Sequence, residues 1–251
     1  MKFNKILRPV LSIINQLGFD LRKIKSLKYY LRYRKERKEW INKGGEINQK
    51  SMILYDYDDD AGNNKGHYFH QDLLVAKLIH EHQPLRHIDI ASRIDGFVAH
   101  VASYRKIEVV DIRPLEKSCH ENIKFVQADL MNPHDLGKTD SISCLHAIEH
   151  FGLGRYGDPI DVDGHNKGIA NLVNLLNKDG LLYISFPIGQ KDEIHFNANR
   201  VFQVDTIFKH PSIKCVSLTV NSFSSKNVRN SFLILRVVIF YISTYSKIVC
   251  I

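Results

Sequence analysis

Two aspartates that close neighbouring predicted strands carry the clearest chemical signal in this chain. Asp89 ends the segment RHID, and Asp111 follows 22 residues later at the end of IEVVD. An acid about 20 residues after a strand, turn and helix is placed to bind the two hydroxyls of a ribose. Asp111 therefore predicts a site for a cofactor that contains adenosine.

The turn after Asp89, IASRIDG, departs from the glycine-rich pattern that is typical of such sites. Ala91, Arg93 and Asp95 occupy the glycine positions, and Gly96 comes one position late. Glycine is favoured there because its missing Cβ permits a positive φ and a close approach of the backbone. We expect Ala91 to be tolerated if its φ is negative. The Arg93 guanidinium either pairs with a cofactor carboxylate or fills the pocket and excludes the cofactor.

Polar side chains also follow the third and fourth predicted strands. Asp129 follows the third strand, and His146, Glu149 and His150 follow the fourth, in CLHAIEHF. Ligands of open α/β sheets bind at the carboxyl ends of the strands. We therefore expect these four side chains to lie in one site. Glu149 and His150 are the candidate catalytic residues, since either can take a proton from a reacting hydroxyl. The equally weighted alternative is that Glu149 caps the next segment and His150 packs.

The segment FGLGRYGDPIDVDGH, residues 151–165, is rich in glycine and predicts a structured turn on the substrate side of this site. Its side chains are suited to bind a sugar or a phosphate. The alternative is a surface loop closed by aspartate side chains. A later segment, FNANRVF, offers possible lid residues. The candidate substrate-binding residues in these two segments are Arg155, Tyr156, Asp158, Asn197 and Arg200.

Two other groups have the character of metal ligands. Asp161-x-Asp163-x-His165 offers hard ligands for Mg²⁺ or Ca²⁺, but a substrate loop or a structural turn is favoured, and no metal is predicted. His67 and His70 in GHYFHQD lie three residues apart without an evident third ligand. A wall of the cofactor pocket or a helix start is the preferred interpretation of that segment.

Alternation of strands and helices predicts an α/β fold with a mostly parallel sheet covered on both faces. The predicted strands are residues 87–90, 107–112, 123–127, 141–145 and 181–186, followed by β-rich segments at 213–221 and 231–242. The predicted helices are about 12 residues from near His70, then 96–104, 167–177 and 204–208. The last apolar segment, SFLILRVVIFYI, is too short to span a membrane. It is either a buried last strand or the product of a reading-frame change.

The ordered strand ends resemble those of class I S-adenosylmethionine-dependent methyltransferases over about residues 85–210. In that fold the first turn, typically DxGxGxG, approaches the methionine part of the cofactor, and the acids after strands two and three lie at the ribose and the adenine. Asp111 and Asp129 match those two positions, HAIEHF resembles a VLEH-type segment, and LLNKDGLLYISFP matches the helix, turn and fifth strand. The resemblance implies a Rossmann-like fold with a seven-stranded sheet and S-adenosylmethionine as cofactor. It implies as cofactor-binding residues Asp89, Ala91, Arg93, Asp95, Gly96, Asp111, Asp129 and His146.

Longer blocks resemble a mostly bacterial family of unknown function, classed as methyltransferase-like and often found among surface-polysaccharide genes. These blocks are GHYFHQD, DIASRIDGFVAH, LHAIEHFGLGRYGDP and FNANRVF, within about residues 46–210. The family pattern has Gly where Ala91 stands and His where Asn199 stands. The resemblance implies methyl transfer to a sugar, nucleotide-sugar or surface-polysaccharide precursor. The alternative is a non-catalytic Rossmann-like scaffold for polysaccharide synthesis at the membrane surface. A nicotinamide-dependent sugar oxidoreductase is disfavoured because GxGxxG and Tyr-x-x-x-Lys are missing.

Positive charge is concentrated in residues 1–45, where 13 Lys and Arg face three acids, although the whole chain carries +8. We therefore expect a basic helical arm at 1–45 and an α/β domain at 46–251, with a tail of doubtful character at 222–251. The arm is interpreted first as a solvated extension, then as a helix on an anionic membrane, and nucleic acid is unlikely. Four scattered cysteines without a CxxC pair and no visible signal peptide suit the cytoplasm, including the inner face of the membrane.

Overall fold

The computed structural model describes residues 25–49, 51–62, 67–116, 120–132, 135–208, 214–222 and 233–241, the last two as backbone only. The chain divides into two compact units, Met1–Asn64 and Lys65–Ile251. The division therefore falls after Asn64 and not after residue 45, where the charge pattern placed it. Residues 1–24 of the predicted basic helical arm lie outside the described residues.

The first unit contains a short helical turn, Ser26–Tyr29, helix α1, Tyr30–Asn42, and a second turn, Tyr55–Asp58. Side chains of the second turn contact α1 and the first turn, because the Tyr57 hydroxyl donates to Glu36 and Lys28 pairs with Asp58 at 2.8 Å. These contacts explain why the segment after residue 45 belongs to the arm. No described helix is both long and apolar enough to cross a membrane.

The second unit is built on one large sheet and one short hairpin. Its strands are β1 His87–Ile90, β2 Ile107–Asp111, β3 Ile123–Gln127, β4 Thr139–Leu145, β5 Leu176–Ile188, β6 Glu193–His195, β7 Asn199–Val201, β8 Lys214–Ser222 and β9 Leu233–Tyr241. Its helices are α2 His67–His82, α3 Ala99–Ala102, α4 Gly164–Leu175 and α5 Val204–Phe208.

The large sheet has seven strands in the order β3-β2-β1-β4-β5-β9-β8. The first five strands pair in parallel, and β9 runs antiparallel to both β5 and β8. The predicted mostly parallel sheet is thereby confirmed, and the apolar segment near the end of the chain contributes β9. The chain moves outward in one direction through β2 and β3 and in the other through β4 and β5, so the order reverses between β1 and β4. Ligands bind at such a reversal, outside the carboxyl ends of the strands.

Helices cover both faces of the parallel strands, so β1 and most of β4 are buried. One face packs Ile88, Ile142 and Phe186 with Leu172 of α4. On the other face lie α2 and α3, whose core contacts include Val75, Ile79 and Val101 together with Tyr183 from β5. The apolar residues of the sheet thus face two layers of helices, and the polar ends of the strands remain for a site.

Among the element boundaries that differ from the sequence-based expectation, two have identifiable reasons. Strand β5 begins at Leu176 because Leu176 pairs with Thr139, and the pairing becomes regular again only at Leu181. The predicted helix at 96–104 is replaced by a wide turn, Ile94–Val98, followed by α3. Gly96 interrupts the helical path with φ −123° and ψ −116°.

Candidate functional site

A cavity of about 820 Å³ lies at the carboxyl ends of β1, β2, β3 and β4, where the strand order reverses. Its volume falls in the range of about 300–1,000 Å³ that is usual for small-molecule sites. The predicted site residues that line it are Ala91, Arg93, Asp95, Gly96, Asp111, Asp129, His146, Glu149, His150, Arg155, Tyr156 and Asp158. Three others do not line it: Asp89, Asn197 and Arg200.

The turn after β1 has its positive φ at Ala91. The φ of Ala91 is +60°, so the condition under which alanine would be tolerated there, a negative φ, is not met. The Ala91 amide donates to the Val110 carbonyl at 2.8 Å, which fixes the turn against β2. An alanine in this region is strained because its Cβ crowds the following carbonyl oxygen.

Asp89 is buried beneath this turn and does not line the cavity. Its carboxylate accepts hydrogen bonds from the Ser92 amide at 3.0 Å, the Ser92 hydroxyl at 2.8 Å and the Ser143 hydroxyl at 2.5 Å. The residue is completely buried, and burial raises the pKa of Asp89 to about 7 although these donors act in the opposite direction. The expected cofactor contact from Asp89 is therefore replaced by a supporting role.

Arg93 forms a two-bond ion pair with Asp95, with Nε–Oδ1 at 2.9 Å and Nη2–Oδ2 at 2.6 Å. The Arg93 side chain is 78% exposed, so it does not fill the cavity. Hydrogen bonding from Arg93 lowers the pKa of Asp95. An exposed pair of this kind contributes little to stability, so a ligand carboxylate can compete for the guanidinium.

The expected ribose-binding acid, Asp111, is engaged by Arg113. Asp111 Oδ1 accepts from the Arg113 backbone amide at 2.8 Å and from Arg113 Nε at 3.0 Å, while Oδ2 accepts from Nη2. The hydrogen bond to Asp111 raises the pKa of Arg113. Arg113 also lies over the ring of Tyr156, 4.7 Å from its centroid.

Asp129 caps the turn that follows β3 at the cavity wall. Its two carboxylate oxygens accept from the Met131 amide at 2.9 Å and from the Asn132 side-chain amide at 2.8 Å. Its position beside Ala128 and Leu130, which also line the cavity, leaves an apolar wall next to an acid.

His146 and Glu149 form a buried pair directly after β4. The Nδ1 atom of His146 lies 3.0 Å from Oε1 of Glu149, and the Glu149 residue is 2% exposed. His146 adopts a φ of +50°, held by its amide bond to the Ser185 carbonyl at 3.0 Å. Oε2 of Glu149 is buried without a hydrogen-bond partner among the described residues, although the Glu149 residue lines the cavity, so this acceptor is unsatisfied.

The His150 ring is held by the backbone of the β6–β7 hairpin. Its Nδ1 lies 2.7 Å from the Ala198 carbonyl oxygen, which only accepts, so Nδ1 carries the hydrogen and Nε2 of the neutral ring is an acceptor. Burial lowers the pKa of His150, which favours this neutral form. The side chain can therefore accept a proton at Nε2, as expected of a general base.

Asp158 closes the glycine-rich loop instead of offering a free carboxylate. Its oxygens accept from the amides of Gly152 at 2.8 Å, Gly154 at 3.1 Å and Tyr156 at 3.1 Å. A Cβ at Gly152, where φ is +77°, would lie 2.0 Å from the Asp161 carbonyl oxygen. The alternative interpretation of a loop closed by aspartate thus describes Asp158, although its side chain still lines the cavity.

Arg200 and Asn197 lie outside the cavity lining, which corrects their assignment as lid residues. Arg200 is 3% exposed, and its guanidinium donates to the carbonyls of Phe151 and Asp161, so it supports the loop from behind. Asn197 is exposed at the tip of the hairpin with a φ of +60°. The hairpin acts through Ala198, whose carbonyl accepts from both His150 and Arg155.

The sequence analysis missed several residues of α2 that face the cavity, among them Tyr68 and Asp72. The Tyr68 ring lies edge-on to His146 with 5.1 Å between centroids, and burial raises the pKa of Asp72. Their spacing of four residues on one helix was the available signal, because residues at i and i+4 share a face. His70, by contrast, is exposed beside Phe69 and does not line the cavity.

The two aspartates of the Asp161-x-Asp163-x-His165 pattern bond to other side chains. Asp161 pairs with Lys167, and Asp163 accepts from Asn166. The His165 ring packs near Phe202, with 5.5 Å between centroids. Within the part of the chain that the structure describes, no three His, Cys, Asp or Glu side chains cluster as metal ligands would.

A family described as "Caenorhabditis protein of unknown function, DUF268" matches residues 105–207, which run from just before β2 to near the end of α5. The matched region includes Asp111, Asp129 and the residues after β4, but not the turn after β1. Its description does not name bacteria, so the bacterial distribution stays an expectation. No curated protein matches the sequence.

Solved structures with a similar fold include methyltransferases. The N-methyltransferase NodS from Bradyrhizobium japonicum WM9, in complex with S-adenosylhomocysteine, is 14% identical with a TM-score of 0.52, covering 74% of this chain and 92% of that one. A second structure of the same N-methyltransferase, NodS from Bradyrhizobium japonicum WM9, has a TM-score of 0.54 at 14% identity. The match covers 72% of this chain and 98% of that one. The Burkholderia thailandensis 1,6-didemethyltoxoflavin-N1-methyltransferase, bound to 1,6-didemethyltoxoflavin and S-adenosylhomocysteine, gives 0.50 at 14% identity, with 86% and 89% covered. The second unit therefore has the Rossmann-like class I methyltransferase fold.

Proposed function

We propose that this chain is an S-adenosylmethionine-dependent methyltransferase that acts on a sugar, a nucleotide-sugar or a surface-polysaccharide precursor. The observation that carries the proposal is the convergence of four strand ends on one cavity. The turn at Ala91, the acid Asp111, the acid Asp129 and the His146–His150 segment all border it. Fold alone does not fix a reaction, so the proposal depends on what these side chains can do.

The residues present fit such a cofactor. Asp111 offers a carboxylate for the two ribose hydroxyls, and Asp129 lies beside an apolar wall suited to a purine. Arg93 can bind the cofactor carboxylate in place of Asp95, and Glu149 Oε2 is a buried acceptor that has no described partner. The cofactor would supply an electrophilic methyl group, and its charged groups suit a cavity with both acids and arginines.

His150 is the residue that we propose for proton removal. When the acceptor hydroxyl takes the methyl group, the bond between that methyl group and the cofactor sulfur would break with its electron pair left on sulfur, and the hydroxyl proton would pass to Nε2 of His150. Glu149 Oε1 lies 3.9 Å from that nitrogen, so a negative charge is placed to stabilise the protonated ring. Positioned acid–base groups of this kind contribute about 10²–10⁴ in rate, and orientation of the two substrates contributes more.

Calorimetry with S-adenosylmethionine and S-adenosylhomocysteine tests the proposal. We expect both to bind the full chain, and Asp111→Asn to weaken S-adenosylhomocysteine binding about tenfold or more, because the charged acceptor for the two ribose hydroxyls is lost. The exposed Asp135 lies outside the cavity lining, so Asp135→Asn is the matched control and should bind as wild type does. Absence of binding at millimolar concentration would reject a methyltransferase. The non-catalytic scaffold would then be the better interpretation.

We also propose that the arm binds an anionic membrane surface. In the described part of the first unit, Leu27, Leu31 and Trp40 are exposed between lysines and arginines, which suits the interface of an anionic bilayer. Flotation of the full chain with vesicles that contain phosphatidylserine should exceed flotation with neutral vesicles. A Leu31→Glu/Trp40→Glu variant should float less in the anionic case. Equal flotation of variant and wild type would reject this role.

A further inference from the structure

Two arginines meet at the ring of Tyr156 in the wall of the cavity. The guanidinium carbon of Arg113 lies 4.7 Å from the ring centroid, and that of Arg155 lies 5.2 Å from it. Both contacts are within the range of a cation–π interaction, so one aromatic ring orients two positive groups. His150 packs edge-on against the same ring at 5.4 Å, which places this cluster beside the proposed base.

The two guanidinium groups differ in their partners. Arg155 donates to the Ala198 carbonyl at 3.0 Å, and it has no carboxylate partner within the described ranges. Arg113 is committed to Asp111 through its backbone amide, Nε and Nη2. The acid that holds Arg113 is therefore the acid that the proposed cofactor would need for its ribose.

We propose that Arg113 and Arg155 form a subsite for a phosphate group of the methyl acceptor, and that a ligand on Asp111 releases Arg113 into that subsite. This inference rests on the proposed function for the nature of the ligand on Asp111. When ribose hydroxyls donate to the Asp111 carboxylate, they compete with the Arg113 bonds. The planar guanidinium then finds its next best acceptor in a phosphate, which it can bind through two parallel hydrogen bonds.

The subsite narrows the substrate class. A neutral polysaccharide has no anionic group that two arginines could bind, whereas a sugar phosphate or a nucleoside diphosphate sugar has one. Because coupling between two ligands is reciprocal, cofactor and phosphate should each tighten the binding of the other.

Calorimetric titration of the full chain with inorganic pyrophosphate, UDP and uridine tests the subsite. We expect pyrophosphate and UDP to bind, and Arg155→Ala to weaken both at least about tenfold in the free protein, because a charge-assisted contact is lost. Arg113→Ala should cause a similar loss when S-adenosylhomocysteine saturates the protein, because only then is Arg113 released from Asp111. Neither substitution should change the binding of uridine, because uridine has no phosphate. Lys124→Ala removes the same charge from β3 outside the cavity lining and should change nothing. If pyrophosphate does not bind, or binds all variants equally, the subsite is rejected.

The kind of phosphate ligand and its coupling to the cofactor are tested by separate measurements. If pyrophosphate binds and depends on both arginines while UDP does not, the phosphate subsite stands and serves a sugar phosphate without a nucleoside. Asp111→Asn removes the charge and one of the two acceptor oxygens that hold the Arg113 guanidinium, so it should tighten pyrophosphate severalfold without any cofactor. Saturating S-adenosylhomocysteine should do the same in wild type. Unchanged or weaker binding in Asp111→Asn would overturn the release of Arg113. If S-adenosylhomocysteine does not bind at all, the proposed function fails, whereas the Asp111→Asn result still decides the subsite.

Discussion

His150 donates its Nδ1 hydrogen to the carbonyl oxygen of Ala198 over 2.7 Å. The bond joins the turn after β4 to the β6–β7 hairpin, two segments that are 48 residues apart in the chain. It also decides the chemistry of the ring, because the nitrogen that remains free to accept a proton is Nε2. A backbone carbonyl therefore selects the tautomer that a general base requires.

His150→Gln should lower kcat/KM for methyl transfer by about 10²–10⁴. Burial lowers the pKa of His150, so the neutral ring persists below the usual histidine range near 6.5, and wild-type activity should fall only below that pH. The variant should lose this acidic limb of the pH profile. His80→Gln, at an exposed position of α2 outside the cavity, is the control. An unchanged acidic limb in His150→Gln would assign the proton to another group.

Ala91→Gly should stabilise the protein by about 1 kcal/mol, because a φ of +60° costs an alanine roughly 1–2 kcal/mol that glycine does not pay. The matched control is Ala99→Gly, at an exposed helical position of α3, which should destabilise by about 0.5–1 kcal/mol. Urea denaturation of both variants measures the two effects. Destabilisation by Ala91→Gly would show that strain at this turn is not relieved by removing the Cβ.

Gly152→Ala should disrupt the glycine-rich loop. The new Cβ would lie 2.0 Å from the Asp161 carbonyl oxygen, so the backbone must move. Gly157 has a similar φ of +83° but nothing within 4 Å of its Cβ position, so Gly157→Ala carries only the cost of the φ, roughly 1–2 kcal/mol. We expect Gly152→Ala to lose about 1–3 kcal/mol more in denaturation, and to weaken pyrophosphate binding. Equal losses in the two variants would contradict the close contact.

Asp89 should make the protein less stable as pH rises. Burial raises its pKa in the folded state to about 7, above the ordinary value of 3.8, so its contribution is complete below that value and is lost as pH passes through 7. Between pH 5 and pH 8 the loss is on the order of 2–3 kcal/mol. Denaturation of wild type and Asp89→Asn at both pH values isolates this group. The difference between the two proteins should shift by that amount, and a constant difference would argue against a raised pKa.

The sequence by itself determined the order of elements and which strand ends carry polar side chains. Short apolar runs between turn residues were sufficient to place the strands β1 and β3 and the short helix α5 at their observed bounds. The spacing from Asp89 to Asp111 was sufficient to predict an acid at the cavity. These features depend on neighbours in the chain, which the sequence displays directly.

Tertiary structure alone decided what each polar group does. Arg113 and Asp111 bond within the site, Ala198 reaches His150 from a distant hairpin, and Arg200 turns away from the cavity to hold the loop. Hydrogen bonds go to whichever partner the packed fold brings within about 3 Å, and residue type does not encode that distance. The positive φ of Ala91 has the same origin, because its turn is fixed by the bond to the carbonyl of Val110 on β2.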